Sequence, residues 1–169
     1  MFGYRRLPFL LLLPLMLGAA ADRRVIVVTR SADLSFGTLR RGESVTISYG
    51  DSRAGEYIIQ GEPSAPFRLS LAVSTIRSER DDIELLLENR NCAYSSDNGI
   101  SWTAFTGDGL IQDLRFPDGA TTIAVSTVRV RIGGRFTAGA RQRRGEYRGN
   151  LMVTAEYLVE GDAAGKTVR

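Results

Sequence analysis

Phe67-Arg68-Leu69-Ser70-Leu71-Ala72-Val73 places a large apolar side chain at every second position, with small or charged residues between. A period of two belongs to a strand with one face in a core, whereas an amphipathic helix repeats every 3.6 residues. Working outward, similar strand candidates are Val25 to Thr29, Leu34 to Leu39, Ser44 to Tyr49, Tyr57 to Gln60, Ile83 to Glu88, Ser101 to Phe105, Leu110 to Phe116 and Leu151 to Val159. Nearly all are bounded by Gly, Asp, Asn or Pro, the residues that turn a chain between strands. In one further strand, Ile123 and Val125 share one parity while Val128, Val130 and Ile132 share the other, which predicts a bulge or bend near Ser126. Ser78 to Asn89 is the best helix candidate, yet Ile83, Leu85 and Leu87 alternate with Glu84 and Glu88 and favour a strand. Many short strands spaced about ten residues apart read as an antiparallel Ig-like sandwich or a barrel.

The first residues read as an address. Arg5 and Arg6 precede an apolar run from Leu7 to Leu17, and Ala19-Ala20-Ala21 offers the small residues a signal peptidase reads. The run is too short for a membrane span, which needs about 20 apolar residues, so cleavage after Ala21 is expected. The organisation expected is a signal peptide over 1–21, a β domain over 22–157 and a short polar tail over 158–169. The protein would then be periplasmic, on the cell surface or secreted, with no transmembrane segment once mature.

Composition excludes several chemistries. At 43% hydrophobic and 24% charged, the 169 residues suit one globular domain rather than a disordered tail or a polytopic membrane protein. There is no histidine, so imidazole catalysis and histidine-ligated metals are excluded. Cys92 is the single cysteine; it reads as a core residue, with an intermolecular disulfide as the alternative. Asp81, Asp82 and Glu84, or Asp108, Asp113 and Asp118, offer carboxylates for a glycosidase, but such clusters are ordinary for exposed loops. A serine nucleophile would need a lysine base, and the only lysine is Lys166. No phosphate-cradling loop and no calcium loop is present. The expectation is a non-enzyme without cofactor or metal.

Two motifs translate into local geometry. Ser95-Ser96-Asp97-Asn98-Gly99-Ile100-Ser101-Trp102 resembles an Asp-box, a hairpin in which Asp97 accepts backbone N–H groups, Gly99 takes positive φ and Trp102 packs beneath. Ser95, Asp97, Gly99 and Trp102 are therefore a structural turn. Gly145-Glu146-Tyr147-Arg148-Gly149, just before a terminal strand, suits a tyrosine corner built on Tyr147.

Charge is unevenly distributed. Without the leader the chain holds 20 basic and 19 acidic residues, but residues 22–128 are net −4 and residues 129–169 net +5. Arg129, Arg131, Arg135, Arg141, Arg143, Arg144 and Arg148 fall within twenty residues, opposed there only by Glu146. This is a candidate patch for an anionic partner: a neighbouring subunit or an anionic glycan, since arginine forks match carboxylate and phosphate oxygens. Nucleic acid is not expected of an exported protein. Separately, Val25-Ile26-Val27-Val28 is strongly β-prone: residues 23–30 either form the first strand of their own sandwich or pair by exchange with the sheet of another copy.

Leu34-Ser35-Phe36-Gly37-Thr38-Leu39, Gly133-Gly134-Arg135-Phe136, and the ending from Gly145-Glu146-Tyr147-Arg148-Gly149 to Val153-Thr154-Ala155-Glu156-Tyr157 resemble the bacterial domain-of-unknown-function family numbered 4402. The resemblance spans nearly all of the chain after the leader. It implies an exported, pilin-like β-sandwich, surface-associated or fimbrial, with no catalytic residues to carry over. The leading functional expectation is a structural or adhesive subunit working by self-association or with other surface subunits, and the alternative is a periplasmic or secreted binding module for anionic glycans. In one respect the chain departs from a fimbrial pattern: twelve residues, Leu158 to Arg169, follow Tyr157. Taken together these readings give an all-β fold, a single antiparallel Ig-like or pilin-like β-sandwich after a cleaved signal peptide.

Overall fold

A computed structural model describes residues 25–73, 76–77, 82–83, 86–106, 110–119 and 125–158. The expected signal peptide and most of the tail lie outside these residues, as do Asp81, Glu84 and Asp108. The strands are β1 (Val27–Ala32), β2 (Ser44–Ile47), β3 (Gly55–Gly61), β4 (Pro66–Val73), β5 (Ile76–Arg77), β6 (Asp82–Ile83), β7 (Cys92–Ser95), β8 (Thr103–Ala104), β9 (Ile111–Arg115), β10 (Ser126–Ile132), β11 (Gly134–Thr137) and β12 (Leu151–Tyr157). A 3-10 turn at Asn89–Asn91 precedes β7. Every pairing among the described residues is antiparallel.

The fold is all-β. A five-stranded sheet in the order β1-β3-β10-β7-β8 and a three-stranded sheet in the order β12-β4-β9 are accompanied by the two-stranded pairs β2–β11 and β5–β6. Alternation in the strands explains how the two larger sheets share a core. In β10, Ser126, Val128, Val130 and Ile132 are buried, while Thr127, Arg129 and Arg131 keep partial access to water. In β4, Phe67, Leu69 and Leu71 are buried on the facing sheet. Tyr57 and Ile59 of β3, Cys92 of β7 and Leu114 of β9 complete the same cluster, and Phe67 stacks on Phe116 with ring centroids 4.2 Å apart. Each large side chain fully removed from water here contributes about 1.5–3 kcal/mol. The arrangement is sandwich-like.

The β10–β3 ladder runs without a shift from Ser126↔Gly61 to Ile132↔Gly55; Ile123 and Ala124, on which the expected bulge near Ser126 turns, lie outside the described residues. An irregularity does occur in β1, between Arg30 and Ala32. One strand expectation is corrected. Leu34 to Leu39 is not a strand: Gly37 takes φ of 69°, which turns the chain out of the β region, and the Ser35 N–H bonds the Arg53 carbonyl at 3.0 Å instead of joining a ladder. As for pairing by residues 23–30, the portion in β1 pairs with β3 of its own chain, Val27↔Gln60 to Arg30↔Tyr57, as the sheet's edge strand.

Gly133 connects β10 directly to β11 and lies between two backbone carbonyls. A Cβ there would sit 2.1 Å from the Ile47 oxygen and 2.8 Å from the Asn91 oxygen. The absence of a side chain is what lets the central strand of the large sheet pass straight into the ladder with β2.

Candidate functional site

The Asp97 loop joins β7 to β8, where Tyr94 pairs with Thr103. Asn98 and Gly99 take φ of 60° and 91°, values that asparagine and glycine tolerate best. The Asp97 carboxylate accepts the Ser101 N–H at 2.9 Å and the hydroxyls of Ser101 and Ser95, and the Ser95 hydroxyl accepts the Gly99 N–H at 2.7 Å. Led by the bond from the Ser101 hydroxyl, these donors hold the Asp97 carboxyl well below the usual carboxylate range. The carboxylate is thereby spent on its own loop.

The hairpin leans over the outer face of the large sheet. The Arg131 guanidinium stacks on the Trp102 ring, 4.8 Å from its centroid, and Arg129 Nη1 donates to the Asn98 carbonyl at 3.2 Å. Glu56, on the neighbouring strand β3, receives both arginines, Arg129 at 2.9 Å and Arg131 at 3.0 Å. Arg129 and Arg131 do share one sheet face, and Glu56 neutralises part of their charge.

The seven arginines expected to act together are divided by the fold. Arg135 reaches Glu88 at 3.5 Å, and Arg148 pairs with Glu146 at 2.7 Å. Arg141 is exposed in the loop after β11 and does not line the groove described next. Arg143, Arg144 and Arg148 do line it, facing Arg40 and Arg41 from the segment before β2. That second pair of arginines was not singled out in the sequence, because about a hundred residues separate the two loops. The sign that could have found it is Arg40-Arg41-Gly42, a basic pair on a glycine turn: Gly42 has φ of 77°, and its N–H bonds the Ala138 carbonyl at 2.9 Å. The reciprocal bond, Ala138 N–H to the Glu43 carbonyl at 2.8 Å, fastens the two groove walls together.

Tyr147 organises the opposite wall. Its hydroxyl donates to the Arg143 carbonyl at 2.7 Å and accepts from Gln142, and its ring packs against Phe136 and Ala138 in a small cluster with Phe36, Leu39 and Val45. The groove thus has an apolar floor under an arginine rim.

The remaining candidates have structural partners. Asp113 takes a bidentate bond from Arg68, which lowers its pKa, and Asp118 accepts from Ser64. Cys92 is fully buried with its thiol directed at the Gly133 carbonyl, and burial pushes its pKa up to about 11. No cluster of three potential metal ligands occurs among the described residues, and no described helix is long and apolar enough to cross a membrane.

These features define an all-β domain of antiparallel sheets that presents a paired-charge sheet face and an arginine-walled groove. The chain belongs to the family described as a domain of unknown function, DUF4402, whose model matches residues 26–157. No curated protein and no solved structure matches it.

Proposed function

We propose that the chain is an exported, non-catalytic structural or adhesive subunit of fimbrial type that associates through strand pairing with other copies or other surface subunits. The observation that supports this reading is the state of two sheet edges. The edge strands β1 and β12 lie near one another, and neither has a further strand hydrogen-bonded beyond it among the described residues. The core-packing side chains there, Ile26 and Val28 near one edge and Leu151, Val153 and Ala155 on the other, are only half-buried. Met152 (65% exposed) and Val27 (47%) add apolar surface beside them. Open strand edges with apolar flanks are templates for another strand.

Gel filtration of residues 22–169 over a range of concentrations tests the reading. Ladders that shorten when Met152 and Thr154 are changed to lysine, a substitution that blunts an edge, are the expected result. A monomer at every concentration overturns strand pairing, and ladders unaffected by the lysines remove β12 from it.

A further inference from the structure

Independently of strand pairing, we propose that the groove between residues 33–41 and the loop 139–150 binds an acidic polysaccharide. The rim carries Arg40, Arg41, Arg143 and Arg144, all exposed and none within salt-bridge distance of a carboxylate among the described residues. The acidic groups in and beside the groove each have a partner on the groove lining itself. Asp33 pairs with Arg30 at 2.9 Å, Glu146 pairs with Arg148, and the Glu43 carboxylate, next to the groove, accepts the Arg40 backbone N–H at 2.7 Å. An accumulation of like charge is retained where neutralisation would be expected.

Charge complementarity selects the occupant. Among the described residues a second copy offers few free anions: Asp51, Glu56, Glu88, Asp97 and Asp113 are each held by a partner in their own chain, although Glu156 is exposed on β12 without an ion pair. An external polyanion has free ones. Of the chain's 22 basic residues all but Lys166 are arginine, the side chain that grips carboxylate or sulfate with two parallel N–H bonds. The floor narrows the class further: the Phe36 and Tyr147 rings, packed on Phe136, offer apolar faces on which a sugar ring can lie between its acid groups. Both walls are prearranged, one by the Gly42–Ala138 bond and the other by Tyr147, so little ordering is lost on binding.

Calorimetric titration of residues 22–169 with polygalacturonate at low salt tests the site, with neutral dextran and polyglutamate as comparisons. Binding to polygalacturonate is expected, at least tenfold weaker in Arg40→Glu/Arg41→Glu and in Arg143→Glu/Arg144→Glu, with melting temperatures unchanged because these side chains are exposed. Arg141→Glu, in the same loop but outside the groove, should change affinity less than twofold. Affinity should also fall steeply between 0.1 M and 1 M salt, as the screening length drops from about 10 Å to about 3 Å. Absence of binding, equal loss from Arg141→Glu, or tighter binding of polyglutamate, which would make an acidic polypeptide the partner, overturns the proposal.

Discussion

The hydroxyl of Tyr157 accepts the backbone N–H of Glu62 at 2.8 Å and so ties the last residue of β12 to the end of β3, one strand from each of the two larger sheets. The ring sits 6.3 Å from that of Phe116, at the edge of the shared core. Tyr157→Phe keeps the packing and removes the bond, at an expected cost of about 1 kcal/mol. Tyr157→Ala loses both and should cost about 3 kcal/mol. Urea unfolding of the two variants separates the contributions, and a Phe variant as stable as the parent would show that the bond contributes nothing.

Asp97 makes the hairpin sensitive to acid. A carboxyl whose folded pKa is depressed contributes stability that is fully present above its unfolded value, near pH 4, and is lost as pH falls from there through the folded value. Asp97→Asn should lower the melting temperature by a few degrees at pH 7, and the gap to the parent should narrow steadily as pH falls below 4. A gap that stays constant from pH 7 to pH 2 would mean that ionisation of Asp97 does not support the turn. Gly99→Val should be worse than Asp97→Asn, since a β-branched residue resists the φ of 91° found there.

Much of this hairpin was legible in the sequence, because its donors and acceptor lie within four residues of one another. The core was legible for the same reason of locality: the parity of β4 and β10 states which face each side chain takes. Contacts between distant segments were not. Nothing near Glu56 in the chain announces Arg131, 75 residues away, and seven arginines clustered in sequence dispersed because the chain passes from β10 into β11 of a different sheet and then into the loop before β12. Leu34 to Leu39 misled because its composition suits a strand, whereas a glycine with positive φ decided its path.

Gly133→Ala tests the close passage from β10 to β11. The contacts at 2.1 Å and 2.8 Å are with backbone carbonyls, which cannot turn aside as a side chain can, so the change should cost about 2–3 kcal/mol. Gly145→Ala, where nothing lies within 4 Å of the added atom, is the matched control and should be close to neutral. Equal thermal stability of the two variants would contradict the tight fit.

Cys92 should be silent toward thiol reagents while the protein is folded. Its side chain is fully buried and its pKa raised to about 11, so at pH 8 the reactive thiolate is scarce as well as inaccessible. Reaction with an aromatic disulfide reagent should become rapid only with denaturant. Rapid labelling under native conditions would place the thiol at the surface and revive an intermolecular disulfide.

The pairing of early strands with late ones governs when this chain can fold. β3 waits for β10, and β4 waits for β12, so neither larger sheet can be assembled until residues 126–157 have joined the rest. Closing such long loops before any contact rewards them makes for slow folding, in the millisecond-to-second range. Until then β3 has only β1 beside it and β4 only β9, and the core that the two sheets share lacks Val128, Val130 and Ile132, so the C-terminal strands are the step on which the whole sandwich-like arrangement depends.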